Sequence, residues 1–246
     1  MNTEKNKHRK LRVICVIAGV IVLICLAFGI YVHNYYHASS DANEALKSTE
    51  EVDVEVLSAN ETAFVPKDAK VGLIYYPGGK VEYSAYAPLM QECAERGILC
   101  VLMKMPFNLA FFDVDAADDV YDQFPEIEEW YIGGHSLGGV AASMYATDHE
   151  KELSGLILTG SYTTEDMTES SLKILYMYGS EDEVVGMEDY KEYEENLPDD
   201  EEEYVIEGGC HAGFGDYGAQ KGDGTPKISG AAQRTMAADV ICDFVN

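Results

Sequence analysis

Four short segments of this chain are apolar at nearly every position rather than at every second one: VGLIYY (71–76), ILCVLMKM (98–105), LSGLILTG (153–160) and LKILYMYG (172–179). A strand of that kind is covered on both faces. This confines the chain to a mostly parallel sheet with helices packed on either side. The segments between them fit. VDVEVL (52–57) alternates with period two and TAFVP (62–66) follows a short turn, which predicts an antiparallel hairpin. Further strands are expected at 128–134 and 202–208, and helices at about 83–96 (stopped by Gly97), 114–123, 138–148, 187–196 and 229–245. The expected fold is a three-layer α/β sandwich of about eight strands occupying residues 52–246. A site in such a sheet lies at the carboxyl ends of the strands.

Ahead of that domain, Val13–Val32 runs for twenty residues without a charge, long enough as a helix to cross a hydrocarbon core of ~30 Å. Residues 1–12 carry Lys5, Lys7, Arg9, Lys10 and Arg12 against Glu4. The positive-inside rule then puts this tail in the cytoplasm and the domain outside, as a single-pass cell-membrane protein with a signal-anchor at 13–32. The alternative is secretion after signal cleavage, with Ala38 and Ser40 as the small residues near the cut. Residues 33–51 are polar and aperiodic and read as a linker.

The net charge is -27, from 17 basic and 44 acidic side chains. So negative a surface repels phosphate backbones and excludes nucleic acid as a natural partner. The acidic run Asp199–Glu203 reads as a solvated turn. Of six cysteines, Cys93, Cys100, Cys210 and Cys242 fall in the exported part, where disulfides or free buried thiols are both open. No metal-ligand spacing is present, and neither a metal nor an organic cofactor is expected.

The chemistry lies in the turns after the strands. Gly134, Ser136 and Gly138 form G-x-S-x-G between a strand and a helix. There a sharp turn lifts the serine into the open, and side chains two positions either side would collide. A serine hydroxyl needs a base. Of six histidines, only His211 follows a late strand at the correct end, since His135 adjoins the serine and should point elsewhere. The base needs an orienting acid, and Asp182 lies at the exit of 172–179, with Glu181 and Glu183 as immediate rivals. An oxyanion needs two donors. One is the Leu137 N–H at the helix start, and the other is Gly79 or, second, Lys80 in Pro77-Gly78-Gly79-Lys80.

Together, YYPGGKVEYSAYAPL (75–89), VLMKMPFNLA (101–110), GGHSLGG (133–139), YGSEDEVV (178–185) and GGCHAGFGDYGAQKGDG (208–224) resemble an α/β-hydrolase. Within that superfamily they resemble the compact, dienelactone-hydrolase-like branch called alpha/beta hydrolase fold-5. The resemblance implies a Ser136–Asp182–His211 triad and an oxyanion hole at Gly79 and Leu137. Dienelactone hydrolases carry a cysteine nucleophile where this chain has serine, and Cys210 stands where asparagine would be expected in close relatives. The expected activity is that of a membrane-anchored serine hydrolase acting on a small ester through an acyl-enzyme. A peptidase or amidase would use the same triad, and a non-catalytic tethered binding protein would keep the fold. Only 161–171 separates two strands where a lid would be inserted, so no cap domain is expected. Phe107, Leu109, Phe111 and Phe112 either wall an acyl pocket or pack in the core, and the glycine-rich loop 212–228 is placed to overhang the site.

Overall fold

A computed structural model describes residues 2–246, the side chains of 2–7 and 9–12 excepted. The basic side chains expected to set topology therefore lie outside the described residues. The chain divides into two units, residues 1–35 and 36–246. The first is a single helix, α1 (Asn2–His33). Its stretch Val13–His33 is long and apolar enough to cross a membrane, and its side chains are unburied.

The second unit begins at Tyr36, ahead of the expected boundary at residue 52. A one-turn helix, α2 (Ser40–Glu44), is capped by the Ser39 hydroxyl, which accepts the Ala42 N–H at 3.0 Å. There follow β1 (Val52–Val56), β2 (Glu61–Pro66), β3 (Val71–Tyr76), α3 (Ala87–Glu95), β4 (Leu99–Met103), β5 (Glu129–His135), α4 (Leu137–Asp148), β6 (Gly155–Thr159), β7 (Lys173–Gly179), α5 (Met187–Glu194), β8 (Glu202–Ile206) and α6 (Gly230–Val245). The eight strands form one sheet in the order β1-β2-β4-β3-β5-β6-β7-β8. The hairpin β1–β2 and the β2–β4 pair are antiparallel, and every other pairing is parallel.

The two-sided burial inferred from the apolar runs is visible residue by residue. Ile74 and Tyr76 of β3 pack in one cluster, with Tyr145 of α4 and Tyr190 of α5. Leu73 and Tyr75 pack in the other, with Leu89 and Met90 of α3 and Ile241 of α6. The outer strands carry the acids, Asp53 and Glu55 on β1 and Glu202 and Glu203 on β8. Charge on an edge discourages pairing with another sheet. The run Asp199–Glu203, expected to be a turn throughout, thus ends inside β8.

The expected helix at 114–123 is replaced by turns ending in a 3-10 turn, Tyr121–Gln123. The Tyr76 hydroxyl donates to the Val114 carbonyl at 2.6 Å and accepts the Ala117 N–H at 3.1 Å. Backbone groups that a helix would pair with each other are taken by a side chain from the sheet. The chain reverses sides of the sheet at β3, whose neighbours are β4 and β5. A crevice is expected at that switch, flanked by the turns after β3 and β5. All six cysteines are free thiols.

Candidate active site

Ser136 stands between β5 and α4 with φ 53° and ψ -126°, a backbone conformation costly for any residue with a side chain. The two glycines make the turn possible. A Cβ at Gly134 would lie 2.6 Å from the Gly138 carbonyl carbon, and one at Gly138 would overlap the carbonyl oxygens of Tyr76 and Pro77. The strained residue is held by its backbone. Its N–H donates to the Thr159 carbonyl at 3.1 Å, and its carbonyl accepts the Ser161 hydroxyl at 2.7 Å. Its side chain is half-buried and opens on a cavity of about 170 Å³ walled by Leu137, Val140, Tyr162, Val184 and Val185.

His211 follows β8 in a short 3-10 turn and is fully buried. Its Nδ1 lies 2.8 Å from Oδ2 of Asp182, at the exit of β7. The Asp182 carboxylate is saturated. Oδ1 accepts the N–H groups of Val184 (2.9 Å) and Val185 (3.1 Å), and Oδ2 also accepts the Tyr190 hydroxyl (2.9 Å). Burial pushes the Asp182 pKa up. The His211 bond and charge, the Val185 N–H and the Tyr190 hydroxyl outweigh it, so the carboxyl stays below its ordinary value. Glu181 turns outward to Lys227 at 2.7 Å, and Glu183 is exposed. Of the three neighbouring acids, Asp182 alone meets the imidazole.

The Nε2 of His211 is buried and has no hydrogen-bond partner among the described residues, so the Ser136 hydroxyl does not bond it in this structure. One tripeptide nevertheless borders both residues. Thr159 and Ser161 grip the Ser136 backbone, and a Cβ on the intervening Gly160 (φ 52°) would lie 3.3 Å from His211 Nδ1.

Gly79 packs against Leu137, where an added Cβ would lie 2.8 Å from Leu137 Cδ2. No hydrogen bond among the described residues uses the N–H of Gly79 or of Leu137. The alternative to Gly79 as the other donor is corrected: the Lys80 N–H already donates to the Asn108 carbonyl at 2.7 Å. None of the four residues Phe107, Leu109, Phe111 and Phe112 borders the Ser136 cavity, and the three aromatic ones do not pack in the core. Phe107, Phe111 and Phe112 are 53%, 44% and 55% exposed, and only Leu109 is buried. The loop after His211 encloses a separate cavity of about 470 Å³, bordered by Cys210, Asp223 and Arg234, rather than roofing Ser136.

Three groups that spacing did not single out complete the surroundings. Asp223 accepts the N–H groups of His211 (3.1 Å) and Ala212 (2.8 Å) and fixes the histidine's turn. Tyr190 steadies Asp182. Tyr86 accepts the Gly78 N–H at 3.1 Å and lies 2.7 Å from Nδ1 of His135, whose Nε2 is 3.0 Å from the His211 carbonyl. A carbonyl only accepts, so Nε2 carries the proton and Nδ1 accepts from Tyr86. His135 therefore does point away from the serine, and it joins the Gly78 turn to the His211 turn.

These buried groups set an acid response. Burial first, and the His211 charge second, hold the His135 pKa well below its ordinary value. An unfolded chain protonates this ring near pH ~6.5 while the folded one does not, so stability falls as pH drops below that value. Asp182 adds stability above the ordinary carboxylate value of ~3.9, lost as pH falls through its depressed one. The melting temperature should be level near neutrality and begin to fall below pH ~6.5. His135→Gln should remove that upper limb; a wild-type curve level down to pH 5 would contradict the assignment.

A family model of the alpha/beta hydrolases matches residues 72–235. The chain belongs to the alpha/beta hydrolase family. Solved structures with this hydrolase's fold include a dienelactone hydrolase from Anabaena variabilis, with 13% identity over 79% of this chain and 97% of that one and a TM-score of 0.59. Est1E from Butyrivibrio proteoclasticus shares 13% identity over 80% and 99%, TM-score 0.56. An esterase from Mycobacterium tuberculosis shares 12% over 83% and 95%, TM-score 0.60. At such identities the likeness is one of fold. No curated protein matches the hydrolase's sequence.

Proposed function

We propose that this hydrolase cleaves carboxylic esters through Ser136, His211 and Asp182, from a domain held outside the cell membrane by α1. The observation that carries the reading is that residues 159–161 border both the strained, half-buried Ser136 and a buried imidazole whose Nδ1 is bonded to a saturated carboxylate and whose Nε2 is unspent among the described residues. Ser136 attacks the ester carbonyl as Nε2 of His211 takes its proton. Asp182 holds Nδ1–H and stabilises the imidazolium. The Gly79 and Leu137 N–H groups receive the oxyanion, each worth about 3–4 kcal/mol by analogy with other such donors. His211 then protonates the leaving alcohol, and water releases the acyl group by the same steps in reverse. Catalytic hydrogen bonds often close only around substrate, in keeping with the open Ser136–His211 link.

A cavity of 170 Å³ is smaller than the roughly 300–1,000 Å³ of pockets for drug-sized ligands. Its walls are mostly apolar, and the Ser161 hydroxyl is spent on Ser136. It suits a short acyl group. The net charge of -27 and Asp189 at the cavity favour neutral or cationic substrates. A fluorophosphonate probe should label the wild type and not Ser136→Ala, with kcat/KM for nitrophenyl esters highest for two to about four acyl carbons. Equal labelling of both proteins would end the reading. The exposed apolar helix and the basic tail support the anchor.

A further inference from the structure

Residues 36–46, outside the family match, lie across the two loops that flank the site. The Tyr36 N–H donates to the Lys80 carbonyl at 2.7 Å, and the Tyr36 carbonyl accepts the Glu82 N–H at 2.8 Å, a short parallel bridge beside Val81. The Ala38 N–H reaches Oε2 of Glu82 at 3.1 Å. On the other side, the Ser39 N–H donates to the Asp216 carbonyl and its hydroxyl to Oδ2 of Asp216, both at 2.8 Å. The Tyr36 hydroxyl accepts the Lys221 N–H at 3.0 Å. Ala42 of α2 is fully buried, and Leu46 packs against the cluster that holds Leu73 and Tyr75.

The first loop carries Gly79 and the second follows His211. Beneath the segment, aromatic rings lead inward from Tyr36 to Tyr217 (5.5 Å), from Tyr217 to Tyr86 (6.4 Å), from Tyr86 to His135 (5.5 Å) and from His135 to His211 (4.5 Å).

We infer that residues 36–46 are a strap that positions the oxyanion loop against the histidine loop, with Tyr36 and Ser39 as positioning residues, so that the active protein retains Tyr36. The inference rests on the esterase reading. It carries a consequence for processing. Cleavage beside Ala38 or Ser40 would remove Tyr36 and, in the second case, Ser39 as well. The active form is therefore one cut at neither place.

The test uses the full-length chain in detergent. Ala42→Asp puts a carboxylate at a fully buried contact of α2 and should lift the strap. Tyr36→Phe removes only the acceptor for Lys221. Val52→Ala, at a buried position on β1, is the packing control. At a temperature where each protein is folded, Ala42→Asp should lower kcat by at least about tenfold, as small misplacement of reacting groups does, with KM within threefold. Tyr36→Phe should lower kcat about two- to threefold. Val52→Ala should lower the melting temperature and leave kcat unchanged.

Hydrogen exchange reads the strap without substrate. The Glu82 and Lys221 amides should exchange at least tenfold faster in Ala42→Asp and as in wild type in Val52→Ala. Wild-type kcat and exchange in Ala42→Asp would overturn the strap, as would an active form whose N-terminus is residue 39 or 41. If Ser136→Ala kept full esterase activity, the esterase reading would fall instead, and exchange at the two amides would still decide the strap.

Discussion

Asp182→Asn should lower kcat by about 10⁴-fold with the fold retained, the size of loss such a change causes in other triads. The reason is donor counting. Oδ1 receives two backbone N–H groups, and Oδ2 receives the imidazole Nδ1–H and the Tyr190 hydroxyl. An asparagine has one acceptor oxygen. If its amide nitrogen takes the Oδ1 position, it faces the Val184 and Val185 N–H groups. If it takes the Oδ2 position, it faces two donors there and drives the proton of His211 to Nε2, where it can no longer accept from serine. The second arrangement leaves the turn after β7 intact, and it removes the base. Steady-state ester hydrolysis beside circular dichroism measures both. A loss below tenfold in a folded variant would show that Asp182 does not orient the base.

Gly138→Ala should cost more than its side chain suggests. Alanine favours a helix interior over glycine by about 1 kcal/mol, which alone would stabilise α4. The new methyl, however, overlaps the carbonyl oxygens of Tyr76 and Pro77. Those are backbone atoms fixed in β3 and its turn, with no rotamer to yield. Overpacking of that kind costs about 1–3 kcal/mol, and relief requires moving the turn that carries Gly79 away from Ser136. The variant should melt lower and lose at least ~10²-fold in kcat, the cost of shifting reacting groups by about 1 Å. Unchanged turnover would mean that this turn does not contribute a donor.

What could be read in the sequence and what could not follow from where each residue's partners lie. The strands were legible because residues such as Leu73 and Ile74 face opposite clusters, leaving no polar position to break the run. The turns that carry Ser136, Asp182 and His211, and the pairing of Asp182 with His211, were legible because each residue follows a strand by a few positions and the turn chemistry is local. The helix expected at 114–123 failed because Tyr76, far earlier in the chain, takes its backbone groups. The docking of 36–46 was hidden for the same reason. Ala38 bonds a residue 44 positions away and Ser39 one 177 away, distances over which composition carries no register. Tyr190 and Asp223 left no signal beyond being two polar residues among many. Lys80, the second choice after Gly79, was an open alternative until the Asn108 carbonyl appeared opposite its N–H.

The central claim is a covalent bond to one hydroxyl. Full-length protein mixed with a slowly released nitrophenyl ester, quenched in acid within the first turnover and digested for mass spectrometry, tests it directly. The acyl mass should appear on the peptide containing Ser136, should decay at the rate of product release, and should be absent in His211→Ala. Ester hydrolysis with no acylated peptide, or with the acyl group on Cys210 or another residue, would contradict the account.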